Sequence, residues 1–308
     1  MKQSILFKEI VNLWKIDKRQ YVKKSTYAAY SLLIQNHIVP KFGSMTEIKE
    51  SDLQEFVNEK LRLGLSVKSV KDILIVCKMI IRFGVKHNYL THNQYDIHFP
   101  TTKVKQEIEV LSIVNQRALM KYVKEHFTFL NLGILICLCS GIRIGELCAL
   151  KWEDLDIQTE IITINKTIQR IYIVDDGEKH TELLIDFPKT KNSNRQIPLT
   201  KELIAMLKPL RKIVRSDYYV LTNNINPCEP RTYRTYFNKL LKSLGLPQMK
   251  FHGLRHSFAT RCIESKCDYK TVSVLLGHSN IGTTLNLYVH PNLEQKKKCV
   301  AQMSKMLK

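Results

Sequence analysis

The sequence predicts a mainly α-helical protein with a small antiparallel β-sheet, divided into two domains joined by a linker. Apolar residues recur at helical spacing over most of the 308-residue chain, whereas residues 161–186 alternate between apolar and polar. Residues 94–109 are polar, contain Pro100 and show no apolar periodicity. We therefore expect an all-helical domain over residues 1–93, a linker over residues 94–109 and an α+β domain over residues 110–308.

Capping residues and glycines mark the helix boundaries expected in the first domain. A short helix begins near Leu6, and the chain breaks at Gly43 and Gly64 separate later helices. Three later helices are expected. The first begins at Ser25, the second begins at Ser51 and ends at Leu63, and the third begins at Ser66 and ends near Asn88.

The second domain is expected to start with helices, change to strands and return to helices. The first helices run from the Ser112 cap to about Phe127 and from about Leu130 to Ser140. The expected strands cover residues 161–164, 168–174 and 181–186, with a turn at 175–177. The later helices cover residues 201–208 before Pro209, then 231–244, 254–265, 269–276 and 293 to the end.

The charge of the chain indicates a polyanionic partner. Lys and Arg number 48 against 28 Asp and Glu, which gives a formal net charge of +20. Residues 1–100 contain 16 basic and 9 acidic side chains, so both domains carry an excess of positive charge. This distribution favours a nucleic acid held by two domains over an enzyme with one basic tail.

Cysteine usage and hydropathy predict a cytoplasmic protein without a membrane span or a zinc site. The 8 cysteines show no paired CxxC spacing, which favours reduced thiols in apolar segments. Charged residues interrupt the N-terminal segment, so no signal peptide is expected. The longest apolar run, residues 132–139, is far shorter than the roughly 20 residues of a membrane span.

Two arginines follow a glycine at expected helix starts: Arg143 in SGIRIGEL and Arg255 in HGLRH. The first turn of a helix attracts anions, and a guanidinium group there can bind two phosphate oxygens. Taken alone, either residue is better explained as an ordinary salt-bridged arginine, with Glu146 as a candidate partner for Arg143.

Histidines and a tyrosine accompany these arginines. His252 precedes Arg255 by three residues, so both side chains can face one site at a helix start. His252 and His256 have a spacing that could suit zinc, but no carboxylate ligand accompanies them, and we expect no metal. His278 and Tyr288 follow ten residues apart, and each alone would be interpreted as structural.

The order of these motifs resembles the tyrosine recombinase, or phage integrase, family. The motifs are SGIRIGEL, PKTKNSNRQIPL, HGLRHSFATR and LGHSNIGTTLNLY, in that order within residues 140–288. The likeness extends from about residue 6 to the C-terminus, because the helical first domain resembles the family's core-binding (SAM-like) domain. The hairpin of residues 161–186 makes the chain most similar to integrases of phages and conjugative transposons of Gram-positive bacteria. A separate arm-site domain is not evident ahead of this pattern, which leaves arm-site binding open.

The resemblance implies a two-domain DNA clamp with six catalytic residues: Arg143, Lys189, His252, Arg255, His278 and Tyr288. It implies that Tyr288 attacks a DNA phosphate and forms a 3′-phosphotyrosine intermediate. The implied supporting roles are phosphate binding by Arg143 and Arg255, acceptance of the phenol proton by His252 and a hydrogen bond to phosphate from His278. Glu146, three residues after Arg143, could orient that guanidinium group by hydrogen bonding, although a plain helix-surface glutamate fits equally well. Lys189 would protonate the departing 5′ oxygen, with Lys191 as the alternative, and neither ATP nor a metal cofactor is implied.

The implied partners are double-stranded DNA recombination sites and three further copies of the chain, giving a homotetramer on DNA. An excisionase or a host DNA-bending protein could assist. Lys68 and Lys71 are candidate phosphate contacts, although a solvated lysine face explains each equally well. The segment after Tyr288 is expected to dock on a neighbouring protomer or to pack on its own domain.

Three other functions remain open at the level of sequence. A catalytically silent DNA-binding homologue would have lost one of the six residues, and none is lost. A type IB topoisomerase-like enzyme would share the nucleophile, but the histidine ahead of Tyr288 and the two-domain layout favour a recombinase. A chromosome-dimer-resolving recombinase shares the short layout, and the inserted hairpin argues mildly against it.

Overall fold

The computed structural model describes residues 5–91, 94–101, 108–175, 178–187, 194–289 and 293–306. The helices are α1 Phe7–Arg19, α2 Lys24–Leu33, α3 Val39–Phe42, α4 Glu50–Arg62, α5 Val67–Lys86, α6 Ile113–Glu125, α7 Phe129–Ser140, α8 Ile144–Ala149, α9 Lys201–Leu210, α10 Pro230–Ser243, α11 His252–Glu264, α12 Tyr269–Leu276, α13 Ile281–Tyr288 and α14 Leu293–Met306. The strands are β1 Leu155–Asp156, β2 Ile161–Ile164, β3 Thr167–Asp175, β4 Glu178–Asp186 and β5 Arg195–Pro198. Within the described residues, no helix is long and apolar enough to span a bilayer.

The chain forms two compact units that are not contiguous in sequence. The first contains Met1–Gln106 and Arg170–Leu184, and the second contains Glu107–Gln169 and Ile185–Lys308. The outer part of the β3–β4 hairpin therefore belongs with the N-terminal helices. An ion pair between Lys24 Nζ and Glu182 Oε1, 2.6 Å long, joins α2 to β4 inside this first unit.

The first unit is a helical bundle around an aromatic core. The rings of Phe7 and Phe56 each contact the Phe42 ring, with centroids 6.4 and 5.1 Å apart. A π-helical turn over Ile34–Ile38 connects α2 to α3. The predicted cap of α5 is confirmed, because the Ser69 amide donates to Ser66 Oγ at 3.1 Å.

Helix α7 forms the centre of the second unit. It is apolar on every face, and residues 131–138 are all buried. Helices α6, α9 and α11 pack around it. The Thr128 hydroxyl caps its start by accepting from the Asn131 amide at 3.0 Å, and Gly141 ends it with a left-handed φ of 65°.

Two small sheets replace the single sheet expected from the sequence. Strands β1, β2 and β5 form one antiparallel sheet, in which Ile162 pairs with Ile197, and β3 and β4 form a separate pair. Strand β5 was not predicted. It is short and alternates buried and exposed residues, beginning with buried Arg195, so its apolar signal is weak.

The start of α4 and the end of α9 differ from the predicted boundaries. Helix α4 begins at Glu50 rather than after Ser51, because the Asp52 carboxylate accepts from the Lys49 amide at 2.8 Å and caps the helix earlier. Helix α9 continues through Pro209 to Leu210. A proline in the last turn interrupts little of the hydrogen-bond ladder, so the helix tolerates it there.

Candidate active site

Three arginine side chains converge on the carboxyl end of α12. Each guanidinium group donates to one of the last carbonyl oxygens of that helix: Arg195 Nε to Leu275 at 2.7 Å, Arg255 Nη2 to Leu276 at 2.7 Å, and Arg143 Nη2 to Gly277 at 3.1 Å. These carbonyls lack partners within a helix and carry the negative end of its dipole, so they favour cations. Gly277 ends the helix with a φ of 66°. The end of α12 thus assembles the arginines from three different elements.

Glu146 lies between two of these arginines and is buried. Its Oε1 accepts from Arg143 Nη1 at 2.8 Å and from Arg195 Nη1 at 3.1 Å, while its Oε2 accepts from Arg195 Nη2 at 2.9 Å. Burial alone would raise the pKa of Glu146, but the hydrogen bonds and charges of Arg195 and Arg143 outweigh burial and lower it. Glu146 therefore contacts the guanidinium groups of both Arg143 and Arg195.

Sequence reasoning missed Arg195. This side chain is 4% exposed, and its motif, PKTKNSNRQIPL, carried only Lys189 and Lys191 as candidates. No local pattern reveals a partner, since Glu146 lies 49 residues away. The available signal was an arginine followed by an alternating apolar segment, which predicts a buried or paired cation in a strand.

Arg255 is the most completely buried arginine of the site, with 2% of its surface exposed. Helix α11 begins at His252, two residues earlier than predicted, so Arg255 is its fourth residue rather than its second. Its Nη1 donates to the Gly141 carbonyl at 2.9 Å. Burial, followed by the charge of Arg143, lowers the pKa of Arg255 to about 9, so the group remains charged at neutral pH.

His252 and His278 both lie within the electric field of these arginines. Burial lowers the pKa of each to about 4, and Arg255 and Arg143 add to the effect. Both imidazoles are therefore neutral at neutral pH. His278 Nδ1 lies 2.8 Å from the buried Thr284 hydroxyl, which fixes the ring from α13.

Tyr288 is the last residue of α13, a helix that the sequence analysis did not predict. Its half-buried ring packs against the cluster formed by Ala259, Val272 and Leu276. Its hydroxyl lies 2.6 Å from His256 Nδ1. Burial raises the pKa of Tyr288 to about 12, although the charge of Arg255 opposes the rise. The phenol therefore contacts His256, whereas the resemblance had implied His252 as its proton acceptor.

The four candidate lysines are not among the described residues of the active site. Lys189 and Lys191 lie outside the described residues. Lys68 and Lys71 lie on α5 in the first unit, where Lys68 Nζ is 4.0 Å from Asp72 and Lys71 Nζ is 5.0 Å from the centre of the Phe99 ring. In the described parts of the chain, no group of three His, Cys, Asp or Glu side chains could hold a metal ion.

Comparison with known proteins identifies the family. Residues 106–295 match the model of the phage integrase family, and residues 6–61 match the N-terminal SAM-like domain of phage integrases. The chain belongs to the phage integrase family. The members are tyrosine recombinases, so this chain is an enzyme that breaks and rejoins DNA strands at specific sites, as the sequence predicted.

Individual relatives agree with this assignment over nearly the whole integrase chain. A "Tyrosine recombinase XerC-like" protein of Caldanaerobacter subterraneus subsp. tengcongensis is 30% identical over 98% of the chain and 83% of its own length. The ICEBs1 integrase of Bacillus subtilis is 24% identical over 96% of the chain and 82% of its own length. The structure of the Tn1549 transposon integrase in complex with transposon right end DNA has a TM-score of 0.78 at 22% identity, covering 99% of this chain and all of that one, and shows a shared fold. The predicted fold class and the likeness to integrases of mobile elements are confirmed.

Proposed function

We propose that this integrase inserts a mobile DNA element, excises it, or does both, by cleaving DNA through a 3′-phosphotyrosine bond on Tyr288. The observation that carries the proposal is the arrangement of Arg143, Arg255, His252, His278 and Tyr288 inside one compact unit. These five residues come from three separate motifs, and the end of α12 and the helices packed against it bring the motifs together.

Arg143 and Arg255, the two arginines that the resemblance implied, would bind the phosphate. Attack on a phosphodiester builds negative charge on the non-bridging oxygens, and fixed cations stabilise that charge in the transition state. Arg143 is partly exposed and can reach a phosphate with the N–H groups that Glu146 and Gly277 leave free. Arg255 is held by the carbonyls of Gly141 and Leu276, so its position changes little when DNA binds.

The neutral histidines and a lysine complete the proposed chemistry. A neutral His278 can donate a hydrogen bond to a phosphate oxygen from the ring nitrogen that Thr284 does not contact. Lys189, with Lys191 as the alternative, would protonate the departing 5′ oxygen. The phosphotyrosine keeps the energy of the cleaved bond, so a second DNA end can be joined without ATP or a metal ion.

The proposed substrate is a pair of double-stranded recombination sites bound by four copies of the chain. The charge of +20 supports extensive phosphate contact, and Lys68 and Lys71 are proposed contacts in the first unit. An excisionase or a host DNA-bending protein is the proposed accessory partner. The relative named XerC-like favours a second candidate, resolution of chromosome dimers, which differs in its DNA site rather than in its chemistry.

A suicide-substrate assay tests the nucleophile. The protein is incubated with nicked duplexes from the ends of the element that carries its gene, and from a chromosome-dimer resolution site, and covalent adducts are counted on denaturing gels. Tyr288→Phe should abolish the adduct and leave DNA binding unchanged, because the ring is kept and only the hydroxyl is lost. Tyr269→Phe, at the start of α12, is the matched control and should form the adduct normally.

The same assay separates the candidate functions. Adducts on the element ends but not on the dimer-resolution site support integration and excision, and the reverse pattern supports dimer resolution. Binding to verified target DNA without an adduct in the wild-type protein would make the chain a silent DNA-binding homologue.

A further inference from the structure

The contact between His256 and Tyr288 brings a second histidine to the nucleophile. The two residues are 32 positions apart, and the distance between His256 Nδ1 and the Tyr288 hydroxyl is 2.6 Å. We propose that His256 is a catalytic residue, the group that takes the phenol proton of Tyr288 during DNA cleavage. This inference rests on the proposed function, because it assigns a partner to the same nucleophile.

Packing on both sides of the contact fixes its geometry. His256 lies on α11 one turn after His252, and their rings meet edge to face with centroids 4.6 Å apart. Tyr288 is held from the other side, where its ring joins the partly buried Phe258 and Cys262 around the small apolar cluster. Both partners therefore lose little freedom when they form the hydrogen bond, and a proton can move along it without rearrangement.

Burial and the charges around His256 leave its imidazole neutral, so the ring can accept the phenol proton. The titratable groups that influence or contact it are His252 and Arg255 on its own helix, Tyr288 on α13, and Glu109 in the segment before α6. Burial and then Arg255 lower the pKa of His256, while Glu109 raises it in part. With the ring hydrogen on Nε2, the Nδ1 lone pair points to the phenol. Because burial raises the pKa of Tyr288 to about 12, the phenol needs such an acceptor to attack at neutral pH.

His252 is less suited to this step. Its pKa of about 4 reflects burial first, then the nearby His256, Arg255 and Arg143, and the charges of the two arginines oppose the gain of a proton. The same neutral ring is a good hydrogen-bond donor to a phosphate oxygen held by those arginines. The two histidines thus divide the work between the phosphate and the nucleophile.

The proposed step balances without a further reactant. As the Tyr288 oxygen bonds to phosphorus, its proton moves to His256 Nδ1, and the bond from phosphorus to the 5′ oxygen breaks. The 5′ oxygen takes its proton from a separate acid. During rejoining, the 5′ hydroxyl of the incoming strand attacks phosphorus and gives its proton to the conjugate base of that acid. The bond from phosphorus to the Tyr288 oxygen breaks, and the imidazolium of His256 returns the phenol proton to that oxygen.

The test separates proton transfer from simple positioning. His256→Asn places an amide oxygen near the Nδ1 position, so it can accept the hydrogen bond but cannot take the proton. Cleavage is measured on a nicked duplex from the element end, with a 5′-bridging phosphorothiolate at the cleavage site, so that the leaving group needs no acid. We expect cleavage by His256→Asn to be about 100-fold slower or more at neutral pH. Replacing Tyr288 by 3,5-difluorotyrosine, whose phenol ionises near neutral pH, should restore most of the loss.

Control variants and specific outcomes make the proton-acceptor role of His256 falsifiable. His126→Asn, at the exposed end of α6, should cleave like the wild type. If circular dichroism shows that His256→Asn does not fold, His256→Ala takes its place, with the same difluorotyrosine rescue. Cleavage by His256→Asn within about threefold of the wild type, faster cleavage, or slow cleavage that difluorotyrosine does not restore would each overturn the proton-acceptor role. If the wild-type protein itself forms no adduct, the proposed function fails instead, which is a separate result.

Discussion

Glu146 shows how one buried carboxylate can set the geometry of two cations. It pairs with Arg143, which is partly exposed, and with Arg195, which is buried, while both arginines also bind carbonyls at the end of α12. Burial of a carboxylate is costly unless several donors satisfy it, and here four donated hydrogen bonds do so. Glu146 therefore fixes the positions of both guanidinium groups from within the protein.

Glu146→Gln should be strongly destabilising. The amide nitrogen would face guanidinium donors and the buried charge of Arg195 would lose its counter-charge, so we expect a loss of about 3 kcal/mol in the free energy of unfolding. Urea denaturation measures this loss. The matched control is Glu125→Gln, an exposed partner of Lys121 on α6, which should change stability by less than about 0.5 kcal/mol. Equal effects of the two substitutions would show that the Glu146 network does not stabilise the fold.

The residues of the site differ in how far sequence could reveal them. Arg143, His252, Arg255, His278 and Tyr288 lie in ordered motifs, so their identity needs no knowledge of contacts. Arg195 and His256 gain their roles from partners 49 and 32 residues away. Such partnerships depend on tertiary packing, and no periodicity in a single sequence specifies them.

At the level of elements, the ends of α7 and α12 position the arginines. Each helix ends in a glycine with a left-handed φ, Gly141 at 65° and Gly277 at 66°. The reversal of the backbone at these caps turns the carbonyl of each glycine toward a guanidinium group, that of Arg255 for Gly141 and that of Arg143 for Gly277. The caps therefore serve the site as well as the helices.

Gly141→Ala should disturb both the cap and Arg255. The added methyl group would overlap the Phe258 ring and approach Leu276, and the left-handed backbone would be strained as well. We expect a loss of about 2–4 kcal/mol in the free energy of unfolding, with slower DNA cleavage. Gly245→Ala is the matched control, because it has a φ of 63° and no atom within 4 Å, so it reports backbone strain of only about 1 kcal/mol. Thermal denaturation of the two variants checks the difference, and equal shifts in Tm would exclude the overlap.

Helices and strands were predicted correctly where the capping residues and the spacing of apolar residues agreed. They were missed where tertiary contacts determine the local structure. The Ser66 and Ser112 caps and the strand Ile161–Ile164 were predicted at the observed positions. Helix α13 was missed because it is short and contains a glycine and two threonines, which have weak helical preference. Its signal was Asn280, whose side chain accepts from the Gly282 amide at 2.7 Å.

At the level of the whole molecule, the first compact unit includes a segment from the later part of the sequence. The outer hairpin, Arg170–Leu184, follows α8 in sequence but belongs to the unit of α1–α5. A division of the sequence into contiguous domains at residues 94–109 cannot assign this hairpin segment to the first unit. Sequence patterns report local periodicity and linkers, whereas membership of a compact unit depends on long-range contacts such as that of Lys24 with Glu182.

The net charge of +20 should make DNA binding strongly dependent on salt. Each phosphate neutralised by Lys or Arg releases counterions, so the logarithm of the affinity falls linearly with the logarithm of the salt concentration. If Lys68 and Lys71 each neutralise one phosphate, then Lys68→Gln and Lys71→Gln should each reduce the magnitude of this slope by about 1. Lys41→Gln is the matched control in the same unit, because Glu55 and Glu59 already pair with Lys41. Fluorescence anisotropy with a labelled duplex across a salt series measures the slopes. A slope unchanged by either α5 substitution would place these lysines on a solvated face, and an equal change in Lys41→Gln would attribute the effect to overall charge rather than to direct contact.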